Sequence, residues 1–292
     1  MNRDTIIGFV LIALVLIGFS WWNQPSAEQI EAARKQDSIA NIQKDSAQKA
    51  AQQAAAIKAA TDSSKMLVLD TTSLFHAAKQ GVAEKVVLKN GKLTLTLNSY
   101  GGIIEKAVIH NFQSIDGTND VTLFNENDQQ LNFMLAGKQE NIVTNELYFT
   151  PTDVTDTTVT MMAKATNGGH IALRYRLGKD YMLSMALETK GLAGMFAPAY
   201  KEMDIEWSDH CRQQEKGFSF ESRYTGLFYK EADGGTDNLS ETADKEEEID
   251  ERLDWVAYRN QFFSIAFISK DDFSQNANLS SVQDKKGSGY LK

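Results

Sequence analysis

LTLTLNS (residues 93–99), the glycine pair Gly101-Gly102 and IIEKAVIH (residues 103–110) decide the fold. Leu93, Leu95 and Leu97 alternate with Thr94, Thr96 and Asn98. That period of two puts apolar and polar side chains on opposite faces of a strand. Two glycines between two such runs make a turn. The same rhythm extends outward through VTLF (121–124), LNFMLA (131–136) and ELYFT (146–150). TTVTMMAKA (157–165) and HIALRYRL (170–177) are separated by Asn167-Gly168-Gly169, whose tolerance of positive φ predicts a hairpin. YMLSMALET (181–189), KEMDIEWS (201–208), FSFES (218–222) and GLFYK (226–230) continue the series as expected strands. Many short strands with glycine turns indicate an all-β antiparallel sandwich. No strand–helix–strand alternation occurs, which argues against a parallel α/β sheet. Residues 231–254 are acidic, with Glu246, Glu247 and Glu248 in a row, and read as a solvated loop. WVAYRNQFFSIAFI (255–268) resumes the sheet as two apolar runs around Tyr258-Arg259-Asn260. The polar Gly287-Ser288-Gly289 near the end shows no closing element, so the chain is expected to be truncated at its C-terminal side.

At the other end, IIGFVLIALVLIGFSWW (residues 6–22) is seventeen residues without a charge. As a helix it would be about 26 Å long, near the lower limit for a hydrocarbon core of roughly 30 Å. Ile6, Phe9, Leu14 and Phe19 are its apolar body, and Trp21 and Trp22 suit the membrane interface, where an indole keeps its N–H wet. Arg3 precedes the run, whereas Glu28 and Glu31 come before the first following cation, Arg34. The positive-inside rule therefore puts the N-terminus in the cytoplasm and the rest outside. A cleaved signal peptide would have a shorter apolar region and a small-x-small site. Here the run ends in tryptophans, Pro25 spoils the nearest candidate site, and no cysteine follows for a lipoprotein box.

The expected order is a transmembrane anchor over 1–23, a polar, partly helical spacer over 24–82 and a β body over 83–292. The spacer is rich in Ala, Gln, Lys, Asp and Ser. Its apolar positions, Ile30, Ile39, Ile42 and Ile57, are too sparse for a heptad seam. With 42% apolar and 10% aromatic residues the chain can build a core. A net charge of −9 argues against nucleic acid as a partner, because nothing would neutralise phosphates. Cys211 is the single cysteine, so no intramolecular disulfide is possible.

Nothing in the body points to catalysis. His76, His110, His170 and His210 show no metal-ligand spacing. His210 and Cys211 are neighbours and would face opposite sides of a strand, which disfavours a nucleophile–base pair. No G-x-S-x-G, P-loop or G-x-G-x-x-G occurs. DGGTDN (233–238) lacks the ligand spacing of a calcium loop. The aromatics in YFT, FSF and FFS read as core.

Three segments carry a family resemblance: NRDTIIGFVLI (2–12), NSYGGIIEKAVI (98–109) and DWVAYRNQFFSIAFI (254–268). They resemble the YidC membrane-protein insertases, and LFNENDQQLNFML (123–135) is similar to the Bacteroidota branch. The matching positions are Gly101 and Gly102 at the glycine turn, and Trp255, Arg259, Gln261, Phe262 and Phe263 in a Trp-x-x-x-(Lys/Arg)-x-Gln-(Phe/Tyr)-Phe pattern. The resemblance runs along essentially the whole chain. It implies a large β-supersandwich of galactose-mutarotase-like shape on the periplasmic side of the bacterial inner membrane. It implies a non-enzymatic role, without cofactor or ATP, in inserting and folding inner-membrane proteins, alone or beside the Sec translocon. The partners implied are membrane lipid, nascent membrane proteins and Sec components. The family's working part is a bundle of five further membrane helices with a hydrophilic groove. No second run of about 18 apolar residues occurs here, so no groove residue is carried over. The competing expectations are a membrane-tethered carbohydrate-binding or mutarotase-like module, and a tethered structural scaffold.

Overall fold

The structure, a computed structural model, describes residues 73–197 and 202–292. The apolar run at 6–22 and residues 24–72 of the expected spacer lie outside the described residues. Among the described residues, no helix is long and apolar enough to cross a membrane.

The body is built from antiparallel strands, as the period of two requires. Strands β1 (Lys85–Lys89), β2 (Leu93–Asn98), β3 (Ile104–His110) and β4 (Asp120–Phe124) form one sheet in chain order. A second sheet contains β7 (Thr150–Thr152), β8 (Thr158–Lys164), β9 (His170–Leu177) and β10 (Leu183–Lys190), in the order β10-β9-β8-β7. Leu93, Leu95 and Leu97 are buried while their alternating neighbours stay half-exposed, so the hydrophobic face fixes the register of β2. They meet Met161, Ile171, Leu173 and Tyr175 of the second sheet in one core. A third sheet, β5 (Gln129–Leu135), β6 (Ile142–Val143) and β11 (Met203–Asp209), adds Phe133, Leu135 and Ile142 to it.

A second core cluster lies under a fourth sheet, β12 (Gly226–Glu231), β13 (Thr236–Asn238), β15 (Leu253–Arg259) and β16 (Ser264–Phe273), and the pair β14 (Lys245–Ile249) and β17 (Ala277–Ser281). Leu227, Tyr229, Leu239, Ile249, Leu253 and Leu279 form it. Phe263, Ile265 and Phe267 reach from the fourth sheet onto the main core and join the two.

Several local expectations are corrected. FSFES, expected as a strand, is a single helical turn, α1 (Phe218–Glu221), followed by a 3-10 turn at Ser222–Tyr224. The buried Glu221 carboxylate accepts hydrogen bonds from the backbone N–H of Gln214 and Glu215, which folds the segment back on itself. The acidic stretch 231–254 is not a loop: it holds β13, β14 and the start of β15. In β14, Glu246 and Glu248 face water while Ile249 is buried, paired with Ala277 of β17. Pairing with an existing strand thus overrides a composition that favours solvation. In the expected spacer, Phe75 and Ala78 belong to the main core, so folded structure begins before residue 83. Near the C-terminus, Leu291 is fully buried, its N–H donates to Cys211 O at 2.8 Å, and Tyr290 bridges Arg212. The tail is therefore packed down rather than left without a closing contact.

The hairpins at Gly101-Gly102 and Asn167–Gly169 form where the sequence put them. Gly102 has φ +67°, and a Cβ there would lie 2.8 Å from Leu173 Cδ1 and 3.1 Å from Phe149. Both neighbours are buried and cannot swing away. Gly168, at φ +83°, has open space around it. Gly102→Ala is expected to cost about 3 kcal/mol through strain and overpacking together. Gly168→Ala should cost only about 1 kcal/mol of left-handed strain. Urea denaturation followed by near-UV circular dichroism measures both, and equal losses would contradict the packing argument.

Candidate functional site

The nine residues from Trp255 to Phe263 carry the most specific sequence pattern, and the structure divides them by role. In β15, Val256 and Tyr258 face inward. The Tyr258 hydroxyl donates to Trp207 O at 2.8 Å, and its ring meets Trp207 edge-on at 4.5 Å. Trp255, Ala257 and Arg259 therefore share the outer face, where Ala257 is paired with Phe228 of β12 and Trp255 with Ile268 of β16. The Arg259 guanidinium lies 3.8 Å over the Phe228 ring and donates to Glu241 Oε1 at 3.2 Å. Such a planar cation stacked on an aromatic ring is held by packing as well as by charge.

The turn that follows is built by Asn260. Its side-chain Oδ1 accepts from Phe262 N at 3.1 Å and Phe263 N at 2.8 Å, and its own N–H donates to Phe263 O at 3.0 Å. Phe263 is thereby directed onto the core, edge-on to Phe112 at 5.7 Å, whereas Phe262 is turned out and 64% exposed. Gln261 is half-buried beside it. Of the YFT, FSF and FFS aromatics expected in the core, Phe262 and Phe220 are thus exposed, while Phe149 is buried as expected. Asn260 was not singled out in the sequence. The available signal was an isolated asparagine between two apolar runs, a residue that turns the chain through its own side chain.

Gly101 and Gly102 are not brought to this site. They sit at the start of β3, and Phe112 follows its end, a separation of roughly 20 Å along the strand. Their work is structural: Gly102 O accepts from the buried Tyr175 hydroxyl at 2.8 Å.

The remaining polar clusters hold the body together. Asp128 accepts from Arg212 Nη1 at 2.9 Å, Tyr290 OH at 2.7 Å and Asn125 N at 2.8 Å. Burial works to raise its pKa, but these donors outweigh it and the net shift is downward. His210 stacks on Tyr290 at 3.6 Å and meets Asp284 at 2.6 Å. Cys211 is buried, and burial followed by the Asp209 charge pushes its thiol well above the ordinary range. It remains protonated at neutral pH and does not act as a thiolate nucleophile. His110 is taken up by Asp120 at 2.9 Å and Thr94 at 2.8 Å. Among the described residues, no group of three His, Cys, Asp or Glu side chains could hold a metal ion. A shallow depression of about 390 Å³ on the outer face of β8–β10 is lined by Thr158, Thr160, Arg174, Arg176 and Ser184, with Asp153 at its rim. No histidine lines it, so it lacks the convergent His–carboxylate pair that a mutarotase-like reaction would need.

The geometry defines an all-β antiparallel sandwich whose signature residues build a rigid turn and a stacked outer face. A family model described as "YidC periplasmic domain" matches residues 85–292, and the chain belongs to that family. A "Membrane protein insertase YidC" of Phocaeicola vulgatus is 42% identical over 294 residues, covering 100% of this chain and 46% of the relative. One of Bacteroides fragilis is 37% identical over 299 residues, covering 100% and 47%. One of Parabacteroides distasonis is 36% identical over 287 residues, covering 94% and 45%. The chain spans about half the length of these relatives.

Two measurements follow from the site. Asn260→Ala removes the acceptor for two turn amides and should cost about 2 kcal/mol of stability, at roughly 1 kcal/mol per bond. Faster amide exchange confined to Phe262 and Phe263 would accompany it; unchanged exchange would contradict the assigned role. Asp209 has its carboxyl pushed up to about 6, first by burial, with the Cys211 thiol and Gln129 amide pulling the other way. Its Oδ1 has no hydrogen-bond partner among the described residues. A folded-state pKa above the unfolded one means the native state holds the proton more tightly. Stability should therefore fall as pH rises from about 4 to about 6, by on the order of 2 kcal/mol. Asp209→Asn should flatten that part of the stability–pH curve, and an unchanged curve would contradict it.

Proposed function

We propose that this chain is the N-terminal anchor and periplasmic domain of a membrane protein insertase. Residues 1–23, with Ile6, Phe9, Leu14, Phe19, Trp21 and Trp22, anchor it in the inner membrane with the N-terminus in the cytoplasm. A polar spacer follows from residue 24, and the β body stands in the periplasm. The observation that carries this reading is similarity along the whole chain to proteins named membrane protein insertases. The body contributes presentation and partner contact rather than catalysis. Inner-membrane lipid, nascent membrane proteins and components of the Sec translocon are its partners, and no cofactor takes part. Its rigid turn suits such a role, because it exposes Phe262 while Phe263 packs on the core.

Replacing the corresponding N-terminal half of the Phocaeicola vulgatus relative with residues 1–292 tests this. The chimera is expected to restore membrane-protein insertion to cells depleted of their own insertase, whereas residues 1–292 alone should not. A stable chimera that fails where the parent relative succeeds would overturn the reading. So would rescue by residues 1–292 alone, because it would place the activity in this half.

A further inference from the structure

One end of the body displays aromatic side chains from three separate segments. Phe262 in the β15–β16 turn is 64% exposed, Phe220 and Tyr224 around α1 are 54% and 43%, and Phe112 after β3 is 44%. Phe112 touches Phe263 of the turn, and Phe220 and Tyr224 meet edge-on at 5.4 Å. The α1 segment abuts the turn: Gln214, held by the Glu221 carboxylate, lines a small cavity with Asn260 and Phe263, and Gly226 pairs with Arg259. Lys216 and Arg223 flank the aromatics, exposed and without an ion-pair partner among the described residues.

We propose that this aromatic end docks onto the interfacial layer of a phospholipid bilayer. The proposal rests on the reading of residues 6–22 as an anchor. That anchor tethers the body to a membrane through the fifty residues 23–72. A weak surface affinity is then amplified by high effective concentration. The form of the surface selects lipid over a polypeptide. The aromatics stand on turns, and none of Phe112, Phe220, Tyr224 and Phe262 lines the depression over β8–β10 or the small cavity beside Asn260. An apolar peptide is gripped in a groove, whereas aromatic tips beside cations match the boundary between acyl chains and phosphates. Asn260 gives the turn its rigidity, so inserting Phe262 requires little ordering.

The full chain, reconstituted in phospholipid vesicles with and without phosphatidylglycerol, tests this with a nitroxide on Gln261→Cys. The buried, protonated Cys211 stays unlabelled. A control label on Gln275→Cys sits beyond the far end of β16, roughly 33 Å away along ten residues. Expected is a higher ratio of oxygen to nickel-chelate collisions at residue 261 than at 275, larger with phosphatidylglycerol. Phe262→Ser combined with Phe220→Ser should abolish the excess. Equal ratios at the two labels, or an excess that survives both serines, would overturn the proposal. So would spectral broadening at 261 that disappears on dilution with unlabelled chain, which would assign the surface to a second copy. Release of the chain by carbonate would sink the anchor reading and the docking together. A retained chain with an aqueous 261 label sinks the docking alone, whatever the chimera does.

Discussion

The closeness of the Gly102 backbone to Leu173, Phe149 and Tyr175 is the constraint on which the main core depends. A residue with a side chain at that position would hold the first sheet away from the second. With glycine, the β2–β3 turn takes positive φ, its carbonyl satisfies the buried Tyr175 hydroxyl, and the leucines of β2 reach the second sheet. Tyr175 is fully enclosed, and burial drives its pKa upward, so its hydroxyl stays a donor. Everything placed further out, including the third sheet and the β15–β16 hairpin, packs on a core that this contact sets at the right thickness.

The outer parts answer to different forces. The fourth sheet closes a smaller cluster and leans on the main core through Phe263, Ile265 and Phe267. The segment after β11 is clamped by charge and ring stacking: Arg212 on Asp128, Tyr290 on both Asp128 and His210, and Asp284 on His210. That clamp ties the C-terminal tail to the end of β5 and leaves Leu291 buried. Asp209 is the exception, a carboxyl group enclosed without a full set of donors, which makes the region lose stability as the pH rises and the group ionises.

The strands with a buried face were legible because one-sided burial writes itself as alternation, as in β2 and β9. The hairpin at Asn167–Gly169 was legible from turn chemistry. The β14 strand was not, because four charged residues precede its one buried isoleucine and its existence depends on β17, some thirty residues later. The strand-like FSFES becomes a helical turn because Glu221 serves as a local acceptor, a role no periodicity reveals. The motif residues were legible as a pattern but not in their division of labour. Phe262 and Phe263 are adjacent and chemically identical, and the Asn260 hydrogen bonds decide which one packs on the core.

The arrangement proposed above is a β-sandwich body held outside the inner membrane by residues 6–22. Limited proteolysis of the chain in spheroplasts and in inverted membrane vesicles tests it most directly. Expected is cleavage in residues 24–72 from the outside only, releasing a resistant fragment that starts near Ser73 and runs to Lys292. Cleavage from the cytoplasmic side, or a chain found wholly in the soluble fraction, would contradict it.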